Sequence, residues 1–276
     1  MNGIDRIIDL ALAEDIHTGD ITTLAVLPKP RRMRARLVAK EPLVLAGIAV
    51  AERVFARLDP GTDFSALFAD GDSVPAGEVM ARIEGDAASM LQGERVSLNL
   101  LQRMCGIATQ TARYVKEIEG TGARVVDTRK TTPGLRVLEK YAVRVGGGTN
   151  HRTGLYDGVL IKENHIVAAG GILEAVRLAR SYIPHTLKIE VETETLAEVG
   201  LALQAGADII MLDNMGLADL SEAARLIAGR ALVEASGGVN LQSIRGIAQT
   251  GVDIISVGAL THSVRAADIS MLMEEC

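Results

Sequence analysis

Beyond residue 120 the chain keeps repeating one pattern, in which a short apolar run with a polar or glycine-bearing end is followed by an amphipathic stretch. The runs fall near 124–128, 158–162, 187–192, 208–213, 231–235 and 253–257, and segments such as ILEAVRLARSYI and LAEVGLALQAG between them are apolar on one helical face. Short apolar strands alternating with helices are the rhythm of a parallel sheet with helical crossovers. The expected fold class is therefore α/β, a C-terminal parallel barrel that is complete or partial, with a doubly wound open sheet as the competing layout.

The first hundred residues have a different texture. Apolar residues at 4, 7, 8, 10, 11 and 12 predict a helix over Ile4 to Glu14, and Met33, Ala35, Leu37 and Ala39 alternate with Arg32, Arg34 and Arg36 as in a strand with one wet face. Ile48 to Leu58 reads as a helix, Asp70-Gly71-Asp72 as a turn and Glu78 to Ile83 as a strand, which together predict an α+β, sandwich-like domain. A long helical stretch starts near Ala88, with an expected interruption at Cys105-Gly106, and links the two halves. The expected domains are 1–107 and 108–263, with the tail 264–276 packing on the first.

Bulk charge excludes some partners. A net charge of −6 disfavours nucleic acid and anionic membrane, and aromatic content of 3% without tryptophan leaves no platform for stacking bases. No 18-residue apolar segment is present, and the N-terminus carries acids where a signal peptide carries lysines, so the expected location is the cytoplasm. Cys105 and Cys276 lack a metal-type spacing and suit a reducing compartment, with Cys105 read as a structural thiol.

Within this acidic chain, residues 127 to 166 gather Arg129, Lys130, Arg152, Lys162, His151 and His165. Each cation stands at a segment end, and the C-terminal ends of barrel strands share one mouth. Arg129 and Lys130 read either as a solvated strand end paired with Asp127 or Glu139, or as part of a cluster that binds a multiply charged anion. Gly146-Gly147-Gly148 reads as a plain loop or as backbone that approaches a ligand. His151 is a candidate donor to an anion and His165 a supporting residue, and neither has the spacing of a zinc triad.

Glu192 and Asp213 end consecutive strands. They read either as partners of these lysines or as holders of ribose hydroxyls and Mg2+. Ser236-Gly237-Gly238 and Gly258-Ala259 follow the last two strands, where barrels hold a phosphate on backbone N–H groups. Arg95 lies on a helix outside the barrel segment, and reaches a site only if that helix covers a barrel mouth, its own or a partner's.

ERVSLNLLQRMCGIAT, DTRKTTPGLR, EKYAVRVGGGTNHRTGLYDGVLIKENHI, IEVE, MLDN, EASGG and SVGALTHS together resemble the quinolinate phosphoribosyltransferases, end to end. The resemblance implies transfer of phosphoribosyl from phosphoribosyl pyrophosphate to quinolinate with decarboxylation, giving nicotinate mononucleotide, pyrophosphate and carbon dioxide. It implies that Arg95, Arg129, His151, Arg152 and Lys162 surround the two carboxylates of quinolinate, with Thr128 also a substrate-binding residue and Arg95 donated by the neighbouring subunit of a homodimer or an assembly of dimers. Lys130 and Lys162 would face pyrophosphate, Glu192 and Asp213 the ribose and Mg2+, and Ser236, Gly237, Gly238, Gly258 and Ala259 the 5-phosphate. Lys130, Lys162, Glu192 and Asp213 are the expected catalytic set. Two alternatives stay open, a same-fold molybdenum-transport-associated anion binder and a sugar-phosphate barrel enzyme. The intact stretch LIKENHI favours the transferase over the first.

Overall fold

The computed structural model describes residues 3 to 275, so Cys276 lies outside the described residues. The chain divides into two compact units. One comprises Met1–Ala112, Thr131–Gly147 and Ser263–Cys276, and the other Arg113–Lys130 and Gly148–His262. The stretch 131–147, read from sequence as barrel, groups with the first unit. Among the described residues no helix is long and apolar enough to cross a membrane.

In the first unit, strands β1 (Arg32–Ala39), β3 (Asp63–Ala66) and β5 (Val79–Asp86) form an antiparallel sheet, and the C-terminal strand Ile269–Glu274 adds to the free edge of β1. A small ladder joins β2 (Leu43–Val44) to β4 (Ser73–Val74). Alternation decides the faces. Ala35, Leu37 and Ala39 point into a core with Leu45, Phe55, Met80, Ile83, Met90 and Leu101, while Arg34 and Arg36 stay on the wet face and pair with Glu84 at 3.0 Å and Glu274 at 2.5 Å. Each large apolar side chain buried there contributes about 1.5 to 3 kcal/mol.

The expected helix break at Cys105-Gly106 does not occur, and one helix runs from Ala87 to Glu117. Gly106 serves packing instead, because a Cβ there would lie 2.2 Å from the Arg265 carbonyl oxygen, and the low helix propensity of one glycine is outweighed by that fit. The glycine triplet acts similarly: a Cβ on Gly146 would meet the Ala108 carbonyl at 2.4 Å, and Gly147 takes φ +87. In the same unit, fully buried Glu139 accepts hydrogen bonds from Arg103 Nε at 3.0 Å and Nη2 at 2.9 Å, and from the Thr132 amide at 3.1 Å.

The second unit holds one six-stranded parallel sheet. Its strands are β6 (Arg124–Val126), β7 (Val159–Ile161), β8 (Ile189–Thr193), β9 (Ile209–Asp213), β10 (Leu232–Ser236) and β11 (Ile254–Ser256), in spatial order β6-β11-β10-β9-β8-β7. That order steps one strand at a time from β7 to β11 and returns to β6 without reversing. A doubly wound sheet needs a reversal, so the layout is barrel-like. β6 and β7 share no ladder. Beside β6 runs the segment after the glycine triplet, where the Thr149 amide donates to Val125 O at 2.9 Å and the Asp127 amide to Thr149 O at 3.2 Å. Helices such as Leu196–Ala205, closed by a Thr195/Glu198 capping box and a left-handed Gly206, connect successive strands.

Candidate active site

The C-terminal ends of these strands surround a cavity of about 410 Å³ lined by Thr128, Arg129, Lys130, His151, Arg152, Leu160, Lys162, Glu192, Met211, Asp213, Glu234, Ser236 and Ser256. A parallel sheet with right-handed crossovers collects exactly one kind of strand end at this mouth, so sequence-distant polar residues converge. Arg129 and Arg152 are close enough for their charges to act on each other. Burial, then repulsion from Arg129, lowers the pKa of Arg152, an arrangement that costs stability until an anion enters.

Buried Asp127, at the end of β6, sets the segment that carries His151 and Arg152. Its carboxylate accepts from Asn150 Nδ2 at 2.7 Å and from the His151 amide at 2.8 Å. Arg152 Nη1 then donates to Gly158 O at 3.1 Å. Lys162 follows β7 and caps the helix Glu163–Ala169, its amide donating to His165 Nδ1 at 3.0 Å, while its ammonium pairs with the Glu192 carboxylate. His165 thus fixes the backbone that aims Lys162. Lys130 is held through its amide, which donates to Thr128 Oγ1 at 3.0 Å, and its carbonyl, which accepts from Thr261 Oγ1 at 2.8 Å.

At the next strand ends, Asp213 Oδ2 accepts from Asn214 Nδ2 at 2.7 Å, and the Asn214 amide donates to Ser236 O at 2.9 Å. Gly237 has φ +94, and a Cβ there would lie 2.2 Å from Asn214 Oδ1. Only glycine allows this loop to pass the Asn214 side chain.

Family profiles match nearly the whole chain: "Quinolinate phosphoribosyl transferase, N-terminal domain" over residues 20–105 and the C-terminal domain of the same family over residues 107–272. The chain belongs to the quinolinate phosphoribosyl transferase family. It is 46% identical over 268 residues to the probable nicotinate-nucleotide pyrophosphorylase [carboxylating] of Bacillus subtilis, covering 97% of this chain and 92% of that protein. Identity is 48% over 271 residues to the Synechocystis protein of the same name, again covering 97% and 92%. The solved structure of NadC from Streptococcus pyogenes superposes with a TM-score of 0.95 at 44% identity, over 99% of this chain and 97% of that one.

Of the residues expected from sequence, Thr128, Arg129, Lys130, His151, Arg152, Lys162, Glu192, Asp213 and Ser236 line the one cavity. Gly237 and Gly238 follow β10 directly and Gly258 and Ala259 follow β11 after Val257, none of them lining it, and Arg95 is exposed on the helix Ala87–Glu117 of the first unit.

Sequence spacing missed a second layer. Glu190 and Glu234 sit two residues before Glu192 and Ser236 on the same faces of β8 and β10, hence one step deeper in the barrel. His151 Nε2 lies 3.1 Å from Glu190 Oε2 and 3.6 Å from Glu234 Oε1. The sequence shows no zinc-type spacing around His151, yet the fold brings two acids to it, and the ligand atoms of His151, Glu190 and Glu234 all lie within 4.8 Å of one another. Its signal was present in IEVE and VEAS: an acid two positions before an inward mouth residue points inward too.

Burial, reinforced by the Glu190 charge and only partly opposed by His151, pushes the Glu234 pKa up to about 7. A carboxyl whose pKa is raised by folding stabilises the fold fully below its unfolded value of 4.5, and that contribution is lost as pH rises through the folded value. Glu234→Gln carries no such charge. It should be more stable than the parent protein at pH 8, by roughly 1 to 3 kcal/mol, and melt close to it at pH 4.5. Calorimetric melts at the two pH values check this, and an equal shift at both would contradict it.

Proposed function

We propose that this chain transfers a phosphoribosyl group from phosphoribosyl pyrophosphate to quinolinate and decarboxylates the adduct to nicotinate mononucleotide. The observation that carries this reading is the convergence of Arg129, Lys130, Arg152 and Lys162 on one cavity, with two arginines close enough to repel. Such a pocket needs a polyanion, and the reaction brings two. The relatives above, matched over 92% of their length, bear the name of a probable carboxylating nicotinate-nucleotide pyrophosphorylase, which favours this reading over the anion-binder alternative.

Arg129 and Arg152 hold the pyridine carboxylates through paired N–H groups, as a guanidinium fork suits a carboxylate. Lys130 and Lys162 neutralise the departing pyrophosphate, and Glu192 and Asp213 steady the ribose as positive charge grows at its anomeric carbon. The ring nitrogen attacks that carbon. Holding both substrates in line supplies much of the rate. Once the nitrogen is quaternary, the adjacent carboxylate leaves as carbon dioxide and its electron pair stays on the ring carbon beside the cation.

Glu192 and Asp213, carboxylates at neighbouring strand ends with Ser236 beside them, fit a hard cation by donor type. Mg2+ held there would supply charge neutralisation for pyrophosphate. Gly237, Gly238, Gly258 and Ala259 offer backbone N–H groups to the 5-phosphate. A homodimer in which Arg95 of one subunit serves the other's pocket, in the cytoplasm, completes the proposal.

The test is product formation by the purified chain with quinolinate, phosphoribosyl pyrophosphate and Mg2+. Nicotinate mononucleotide should appear with quinolinate and not with nicotinate; the absence of any product would refute the reading. Gly237→Ala must displace Asn214, so the KM for phosphoribosyl pyrophosphate should rise about tenfold or more, a cost of about 1.4 kcal/mol, with the quinolinate KM nearly unchanged. Steady-state kinetics in both substrates reads the difference.

A further inference from the structure

Decarboxylation leaves an electron pair on a ring carbon, and a proton must arrive there. Of the groups at the rim, Arg129 and Arg152 hold carboxylates, and Lys162, paired with Glu192, keeps its proton to serve the departing pyrophosphate as a cation. A deeper source is needed.

The barrel has a second cavity, of about 500 Å³, at the opposite ends of the strands, with Arg124, Val159, Lys188, Ile209 and Ile254 around it. Its wall carries charged groups, Arg124, Lys188 and Glu190 among them, beside apolar ones, and it is large enough for water. Glu234, His151 and Arg152 line both cavities, whereas Glu190 lines only the second. The cluster is the partition between the substrate pocket and the far mouth.

Three ligand-type atoms so close together also raise the idea of a metal ion. The histidine tautomer decides against it. His151 Nδ1 accepts from the Arg152 amide at 2.8 Å, so Nε2 carries the ring hydrogen and faces the carboxylates as a donor, not as a ligand. Glu190 Oε1 and Glu234 Oε1 are buried without a hydrogen-bond partner. Two carboxylates in such a place cannot both bear charge cheaply, and a shared proton relieves them.

We propose that Glu234 is the acid that protonates the ring carbon after carbon dioxide leaves, and that the far cavity returns a proton to it. This rests on the transferase reading above. The carbon–carboxylate bond breaks with its electron pair left on carbon, carbon dioxide departs, the Glu234 O–H proton passes to that carbon, and the resulting carboxylate takes a proton from solvent. The groups facing Glu234 are Glu190 on β8, His151 on the segment beside β6, Arg124 on β6 and Ser256 on β11. Burial and Glu190 keep it protonated near neutral pH, while His151, Ser256 and Arg124 keep the shift moderate, so the proton can leave.

Single-turnover measurements on the intact enzyme separate the steps. Parent protein that forms no nicotinate mononucleotide refutes the transferase reading itself. With an active parent, Glu234→Gln should release pyrophosphate at the parent rate but form product about a hundredfold more slowly, because a positioned acid typically contributes about 10² to 10⁴. Glu234→Asp, which keeps an acid, should recover part of the loss. In the parent alone, product formation should slow as pH rises above neutrality while pyrophosphate release does not, a readout that needs no variant to fold. Product formation by Glu234→Gln at the parent rate, equal slowing of both steps, or a parent pH profile identical for the two steps would each overturn the proposal.

Discussion

Replacing Lys162 by alanine is expected to lower turnover about a hundredfold or more while leaving the fold intact, because a lost preorganised charge contact costs roughly 2.7 to 4 kcal/mol in the transition state. Two effects add. The departing pyrophosphate loses a cation, and the Glu192 carboxylate, now without its ammonium partner, repels both anionic substrates. The fold should survive because the side chain is half-exposed and the helix start is held by the His165 ring and the Lys162 amide, which alanine retains. Kinetics and a thermal melt on the same preparation give the comparison. Turnover within threefold of the parent, at unchanged melting temperature, would remove Lys162 from the reaction.

The largest effect on stability is expected from Arg103→Ala. It deprives fully buried Glu139 of both guanidinium hydrogen bonds and leaves only the Thr132 amide. Breaking one side of a buried pair costs about 3 to 5 kcal/mol, mainly because the remaining charge stays desolvated. For a chain of this size that lowers the melting temperature by roughly 6 to 15 °C. Converting the pair together, Arg103→Met with Glu139→Leu, should recover most of the loss, since a well-packed apolar pair has no stranded charge. A single variant that melts within 2 °C of the parent, by the same scale, would show that Glu139 finds another partner.

Much of this was legible before any coordinates. The six strands lie where apolar runs placed them, and Ile48–Leu58 is a helix with the bounds its periodicity predicts. Pockets at strand ends follow from the topology, so Arg129, Lys130, Arg152, Lys162, Glu192 and Asp213 could be gathered from their positions alone. What escaped depends on contacts between distant stretches. Gly106 looked like a helix break because its neighbour, the Arg265 carbonyl, lies far along the chain. From sequence Asp127 reads only as a partner for Arg129, and its carboxylate accepts from Asn150 and the His151 backbone, a contact that spacing does not show. Glu190 and Glu234 were hidden for another reason: residues just beyond a strand end draw notice, while those one layer below look like interruptions in an apolar run.

The missing ladder between β6 and β7 has a mechanical consequence. Backbone amides on β7 are braced from one side only, so Val159 to Ile161 should trade hydrogen for deuterium sooner than the matching amides of β9 and β10, which are flanked twice. A conventional stave in that gap would stiffen the wall, but its regular pleat could not turn both Arg152 and the His151 ring inward from adjacent positions. Arg152 and the His151 ring thus reach the pocket from adjacent positions on a segment outside the six-stranded sheet.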